Sequence, residues 1–358
     1  MNLQLSSSER LGPVSLVSHS SPSTSLARRL QAVESLMRQL AADGRVDRLS
    51  TMALEQLNSG GRRLRARLAL SASEVFGVDE ASAVTWAACV ELLHNATLVH
   101  DDIQDADRLR RGQATVWARY GVPQAINVGD FLLVLPYVAL REIRAEHRGA
   151  LALLLGETST RVVRGQVYDL ALLDSGRLDP QEYYAAVRGK TGALFELPVS
   201  GAALLGNLGP ERVARYGELF SSLGLLFQMQ DDIVDLYGDK GKDGPGADVR
   251  EGKVSALIVE LIAARPGLRS RVLQVLRKTR EETTPLDVEW IAQVCRESGT
   301  LMRVLEQMQA IADHALASVA RTDPSLRALV SELIQMCSGP LTSLKAASHS
   351  CGSAQGGP

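Results

Sequence analysis

Two aspartate clusters in this chain, Asp101-Asp102-Ile103-Gln104-Asp105 and Asp231-Asp232-Ile233-Val234-Asp235, share the pattern DDxxD. On an α-helix the first and last residues of such a pattern lie one turn apart on one face. Asp101 with Asp105, and Asp231 with Asp235, therefore each present a bidentate oxygen surface. Like charges so placed repel by roughly 0.2–0.5 kcal/mol, more when sheltered from water, and a cation relieves the repulsion. Hard oxygen donors without a His or Cys companion suit Mg²⁺, which keeps several waters and is shared with substrate phosphates. One acidic run alone reads equally well as a solvated helix face. Two runs, each preceded by apolar helix (Glu91 to Val99 and Leu223 to Met229), place carboxylates at the ends of buried helices, where they are usually functional or paired.

Basic residues accompany the acids. Asp107-Arg108-Leu109-Arg110-Arg111-Gly112 sets two adjacent guanidiniums just beyond the first cluster, and arginine forks match phosphate oxygens bidentately. Gly60-Gly61-Arg62-Arg63-Leu64-Arg65 opens a helix with glycines and positive charge, where free N–H groups favour an anion. Lys190-Thr191-Gly192 interrupts an apolar helix, and Lys242 and Lys253 flank a Gly-rich loop after the second cluster. Any one of these reads also as surface solubility or snorkelling. His94 precedes Asp101 by seven residues on about the same helix face; a lone helix histidine is more often a satisfied core residue than a ligand. GxSxG, Walker and HExxH signatures are absent, so hydrolase and NTPase readings lack support. Metal-assisted departure of a diphosphate needs only acids for the metal and bases for the phosphates.

The elements that must position these groups are helical. Of 358 residues 45% are hydrophobic and only 4% aromatic, with abundant Ala and Leu, which favours helix over strand. Apolar residues recur at helical spacing over about 25–43, 63–77, 79–106, 123–147, 149–174, 180–206, 210–238, 254–281, 286–322 and 326–344, with no convincing alternating strand. Residues 1–24 and 346–358 read as disordered tails around a single all-α domain over 25–345. A net charge of −2 gives no field for nucleic acid. Cys89, Cys295, Cys337 and Cys351 lack metal-type spacing, and a reducing cytoplasm fits. No apolar run is read as reaching the roughly 20 residues that span a bilayer.

With these residues together, the chain resembles the trans-isoprenyl diphosphate synthases, the head-to-tail prenyltransferases that include geranylgeranyl and farnesyl diphosphate synthases. The resemblance runs through Gly60 to Arg65, Glu91 to Gly112, Gly165-Gln166 with Asp169, Lys190-Thr191-Gly192, Phe227-Gln228 with Asp231-Asp232 and Asp235, and Asp248 to Lys253, all in family order. It implies the isoprenoid synthase fold, with roughly ten to thirteen helices around a central apolar cavity. It also implies a homodimer, with the helices around 123–147 and 149–174 at the interface. Asp101 and Asp105 would bind two Mg²⁺ ions and Asp231 a third, helped by Asp235, within acid pairs that include Asp102 and Asp232; Mn²⁺ would substitute. Arg110, Lys190, Lys253 and Lys242 would contact the allylic diphosphate. Arg62, Arg65, His94 and Arg111 would hold isopentenyl diphosphate, and Thr191 and Gln228 would face the allylic cation. The family usually has Lys where Arg62 stands and Pro where Ala66 stands, and the loop from Lys242 to Asp248 is a residue longer than common.

Product length turns on Ala96 and Thr97, five and four residues before Asp101 and so roughly 6 to 8 Å beneath the metals. Farnesyl-forming relatives tend to carry an aromatic there. Ala96 leaves that floor open, with Leu92 and Leu93 a turn deeper and Phe131, Leu132 or Leu133 on a neighbouring helix as softer floors. A C20 product is the favoured reading; C25 or longer, or farnesyl diphosphate, is the alternative. Two further readings stand beside it: a class I terpene cyclase, which needs no isopentenyl site, and an inactive regulatory subunit, which usually loses these aspartates.

Overall fold

The computed structural model describes residues 24–44, 47–176, 178–238, 244–322 and 324–341. Helices α1 (Thr24–Ala42), α2 (Arg48–Asn58), α3 (Leu64–Val75) and α4 (Glu80–Gln104) open the fold. Local chemistry sets their starts: Asp47 accepts from Ser50 N and Asp79 from Ser82 N, side-chain caps that satisfy free N–H groups of the first turn. At 25 residues, α4 is about 37 Å long and carries the first aspartate cluster at its C-terminal end.

Beyond α4, Leu109–Arg110 and Gln113–Ala114 pair antiparallel as β1 and β2. The turn residues Arg111 and Gly112 both have positive φ, 54° and 78°, the conformation a tight two-residue hairpin needs. This hairpin is the only sheet among the described residues. It escapes a sequence reading because two residues per strand are too few to show an alternation.

Helices α5 (Val116–Tyr120) and α6 (Val122–Ala139) follow, then α7 (Ala145–Ser175), α8 (Pro180–Val187), a π-helical turn at Arg188–Gly192, and α9 (Ala193–Leu205). The second half consists of α10 (Pro210–Tyr237), α11 (Ala247–Arg250), α12 (Ala256–Ala264), α13 (Arg269–Leu276), α14 (Pro285–Glu297), α15 (Thr300–Thr322) and α16 (Arg327–Ser338). The segment read as one helix over 254–281 breaks at Pro266, and that over 286–322 breaks at Gly299, whose φ is 73°. The eleven-residue α2, rich in polar residues, and the five-residue α5, too short to show a period, are not evident in the sequence pattern.

Two apolar clusters form the core. One joins α1 to α4 with α6 and the first part of α7; the other joins α8 and α10 with α12 to α16, and α9 contributes to both. Along α6, His100 of α4 sits where a side chain on Gly129 would be, and Cys89 Sγ lies 3.4 Å from Pro136 O, so α4 and α6 run antiparallel in close contact. One helical stretch, Val122–Glu142, is after all long and apolar enough to cross a membrane by length and composition. The sequence reading missed it because Asn127 and Asp130 interrupt the apolar run. Its outer face exposes Val134, Tyr137 and Val138, and α7 exposes Leu153, Val163, Val167 and Tyr168.

Candidate active site

The C-terminal end of α4, the π-helical turn, the middle of α7 and the end of α10 meet at one end of the bundle. A Cβ on Gly165 of α7 would lie 2.6 Å from Lys190 N, so glycine is what lets α7 press against the π-helical turn. A π-helical turn inserts an extra residue per turn and redirects side chains, a device often found at functional sites. Here it sends Lys190 and Thr191 toward the two acid clusters. Lys190 Nζ stands 3.6 Å from Asp101 Oδ1 and 3.3 Å from Asp169 Oδ2. Thr191 Oγ1 is 3.0 Å from Gln228 Oε1 on α10.

Asp101 and Asp105 are half-buried at the mouth. Burial raises the Asp101 pKa, with Lys190 pulling against it and Asp105 adding to it. Asp105 receives Lys253 Nζ at 2.8 Å, and Lys253 also reaches Glu251 at 3.0 Å. Burial works against the Lys253 ammonium, yet Asp105, Glu251 and Asp248 outweigh it and hold its pKa above the ordinary lysine value. Asp231 is half-buried, and Asp235 is buried, with Oδ2 accepting from Asp248 N at 2.9 Å. Lys242 lies outside the described residues.

The middle aspartates turn inward. Asp102, 1% exposed, accepts from Arg110 Nε at 2.6 Å, and burial pushes its pKa up to about 6. Asp232, 4% exposed, accepts from Tyr183 Oη, from Ala256 N at 2.7 Å and from Gln228 Nε2 at 2.9 Å. Asp232 is thus committed to the protein interior and joins α8, α10 and α12. Asp101, Asp105 and Asp231 remain at the mouth. Among the described residues no three His, Cys, Asp or Glu side chains enclose a metal position by themselves. That donor set, one or two carboxylates per ion with the rest of the shell left to water and phosphate, is what Mg²⁺ accepts.

A second cationic pocket lies beside the first. Arg65 Nη1 is 3.1 Å from His94 Nε2, and Arg111 Nη1 donates to Gly60 O. The Arg111 guanidinium fills the space above Gly61: a Cβ there would lie 2.6 Å from Arg111 Nη1, and φ is 123°. Burial, then Arg65, Arg111, Arg110 and Arg63, hold the His94 pKa well below the ordinary value, so the ring is neutral. A neutral ring accepting at Nε2 carries its proton on Nδ1, a tautomer assigned from these hydrogen bonds. His94 Nδ1 and Arg65 Nε are both buried without a partner, an arrangement that favours an incoming anion. Burial lowers the Arg65 pKa to about 10 despite Glu91 and Asp101, which leaves it charged at neutral pH. Arg62 is exposed on the same loop.

Several supporting residues have roles that their place in the sequence does not disclose. Glu91, 2% exposed, accepts from Ala66 N at 3.0 Å and so caps the start of α3. Arg63 is tied to Glu34 at 3.1 Å and to Leu57 O at 2.6 Å. Arg280 reaches Glu251 at 3.3 Å and Asp107 at 4.0 Å, bridging the loops after α4 and α11. Beneath the aspartates, Leu92, Leu93 and Ala96 are buried, and Thr97 bonds back to His94 O at 2.8 Å.

Residues 46–294 match the family model for polyprenyl synthetase. The chain belongs to the polyprenyl synthetase family. This polyprenyl synthetase is 32% identical to the geranylgeranyl diphosphate synthase of Saccharolobus solfataricus over 255 residues, 70% of this chain and 76% of the relative. It is 31% identical to the geranylfarnesyl diphosphate synthase of Aeropyrum pernix over 299 residues, 81% of this chain and 92% of the relative. Among solved structures, the polyprenyl synthetase of Streptomyces coelicolor A3(2) superposes with a TM-score of 0.80 at 25% identity, covering 88% of this chain and 99% of that one. The polyprenyl synthase of Caulobacter crescentus CB15, solved with calcium and isoprenyl diphosphate, superposes at 0.74 with 26% identity over 87% and 96% of the two chains. The fold is the all-α isoprenoid synthase fold, and the chain is a trans-prenyltransferase of a family that uses Mg²⁺ at its DDxxD motifs.

Proposed function

We propose that this synthetase condenses isopentenyl diphosphate with dimethylallyl, geranyl and farnesyl diphosphates to give all-trans geranylgeranyl diphosphate. The observation that carries this is the pair of separate cationic sites at the end of α4. Lys190 and Lys253 lie against Asp101 and Asp105 on one side, and Arg65, His94 and Arg111 gather around Gly60-Gly61 on the other. A cyclase ionises one diphosphate and has no use for the second site.

In this reading Asp101, Asp105 and Asp231, helped by Asp235, hold three Mg²⁺ ions with the allylic diphosphate. When bound, the ions neutralise charge that develops on the leaving diphosphate. Lys190, Lys253 and Arg110 supply further charge to the same oxygens. Arg65, His94 and Arg111, with Arg62 at the rim, fix the isopentenyl diphosphate so that its double bond meets the allylic carbon. The allylic C–O bond breaks with its electron pair going to diphosphate, and the double bond forms the new C–C bond. A proton then leaves to the released diphosphate. Thr191 Oγ1 and Gln228 Oε1 line the cation side, and the apolar wall below excludes water.

Buried Ala96 supports a C20 product over farnesyl diphosphate, and the relatives include both C20 and C25 synthases. A homodimer through the exposed apolar faces of α6 and α7 is supported by Val134, Tyr137, Val163 and Val167, which otherwise meet water. Free, buried Cys89, Cys295 and Cys337 accord with a reducing cytoplasm. Product analysis by mass spectrometry with Mg²⁺, isopentenyl diphosphate and each allylic primer tests the reading. Elongation supports it, hydrocarbon release would point to a cyclase, and absence of turnover to a regulatory subunit.

A further inference from the structure

Charged side chains of alternating sign form one continuous series around the mouth. Asp105 Oδ2 meets Lys253 Nζ at 2.8 Å, and Lys253 meets Glu251 Oε2 at 3.0 Å. Arg280 Nη1 comes next, 3.3 Å from Glu251 Oε1 and 4.0 Å from Asp107 Oδ1. Asp107 Oδ2 lies 3.9 Å from Arg110 Nη2, which is 2.6 Å from Asp102 Oδ1. The series begins and ends on the first aspartate cluster, with Arg280 at its centre. The other members lie in segments that the charge pattern singles out; Arg280 comes from the turn after α13.

That turn is held at the mouth by its own contacts. Lys278 Nζ pairs with Asp287 Oδ1 at 2.7 Å, and Thr279 N donates to Glu282 Oε2 at 2.9 Å. The end of α13 presses on Gly252, where φ is 69° and a Cβ would fall 2.5 Å from Leu276 O. Arg280 is thereby delivered beside the Glu251-Gly252-Lys253 segment by packing as well as by charge.

We propose that Arg280 is a positioning residue for the two cations Lys253 and Arg110, and so sets the affinity for the allylic diphosphate. The proposal rests on the synthase function above. Glu251 and Asp107 each turn one oxygen to Arg280 and the other to a cation of the diphosphate site. Both acid side chains are only 10% exposed, so water screens their charge weakly. Without the guanidinium, the full charge of Glu251 falls on Lys253 and that of Asp107 on Arg110. Each acid then competes with the diphosphate for its cation, and two unbalanced carboxylates stand near an incoming polyanion. Arg280 removes both effects without touching the substrate. The isopentenyl pocket of Arg65, His94 and Arg111 lies outside the series, so the effect falls on one substrate.

Arg280→Gln tests this in the full chain with Mg²⁺. KM for farnesyl diphosphate should rise roughly 3- to 30-fold, the range for residues coupled through one charge network, while KM for isopentenyl diphosphate stays at the wild-type value. Since a single nitrogen faces both acids, Arg280→Lys should recover most of the loss. A readout without turnover is calorimetric binding of a farnesyl thiolodiphosphate, whose C–S bond ionises slowly; Arg280→Gln should weaken it by the same factor. In the double variant with Glu251→Gln the KM penalty should be smaller than the product of the two single penalties, because both act on Lys253. Multiplicative penalties, an unchanged farnesyl affinity, or a lowered urea midpoint with both KM values raised alike would overturn the positioning role and leave the synthase function intact. A wild-type chain that elongates no primer overturns that function and this role with it.

Discussion

Replacing Arg111 by Gln removes one guanidinium from the isopentenyl pocket and leaves the fold nearly untouched. Arg111 is exposed on the turn of the β1–β2 hairpin, and its side chain is held by Gly60 O. The stability change should stay within about 0.5 kcal/mol. The lost contact to a diphosphate is charge-assisted, about 1.5–3 kcal/mol. At about 1.4 kcal/mol per factor of ten, that is roughly 10- to 150-fold weaker binding. The penalty should fall on one substrate. The neighbouring Arg110 points the other way, onto Asp102 at 2.6 Å, while Arg111 shares its pocket with Arg65 and His94. Steady-state kinetics with each substrate varied in turn reads this out: KM for isopentenyl diphosphate rises by that factor, and KM for farnesyl diphosphate stays near the wild-type value. Added salt should narrow the gap between wild type and variant, because the pocket rim is open to solvent. If the allylic KM rises as much as the isopentenyl one, or neither moves, the division into two diphosphate sites is wrong.

Ala96→Phe should shorten the dominant product by raising the floor of the cavity, and mass spectrometry that finds the same product spectrum would remove Ala96 from the account. Asp231→Ala should abolish turnover with little change in the denaturation midpoint. Asp232→Ala strips the acceptor from Tyr183 Oη, Ala256 N and Gln228 Nε2 and should cost roughly 3 kcal/mol or more in urea unfolding. Thr284 and Asp287 form a capping box at the start of α14, so Thr284→Ala should lower stability by about 1 kcal/mol. Hydrogen bonds from Lys278 and then Thr284 hold the Asp287 pKa at about 2, below the ordinary aspartate value of 3.8. The folded pKa is the lower one, so this contribution is complete above pH 3.8 and fades as the pH falls toward 2, a loss visible as a pH-dependent unfolding midpoint.

What the sequence disclosed were the features with a period or a charge pattern. The helices bearing Asp101 and Asp231, the Gly60-Gly61 loop and the Lys190 interruption all stand out without coordinates. The two DDxxD motifs looked internally uniform, yet Asp102 and Asp232 serve Arg110 and Tyr183 instead of the mouth. A helix face separates neighbours by about 100°, but which neighbour turns inward depends on partners distant in sequence. Tyr183 lies 49 residues before Asp232 and belongs to no motif. The π-helical turn at Arg188–Gly192 was likewise hidden, since it comes from glycine-mediated packing of α7 against the segment and not from local propensity. Glu91, read as the start of an apolar run, proved to be the cap on α3.

The central claim is that this chain joins two diphosphates instead of rearranging one. Purified chain incubated with Mg²⁺, farnesyl diphosphate and carbon-13-labelled isopentenyl diphosphate tests it most directly. The account predicts one pyrophosphate released per label incorporated, with geranylgeranyl diphosphate as the main product. Pyrophosphate release without label in the organic product, or a hydrocarbon formed from farnesyl diphosphate alone, would contradict it.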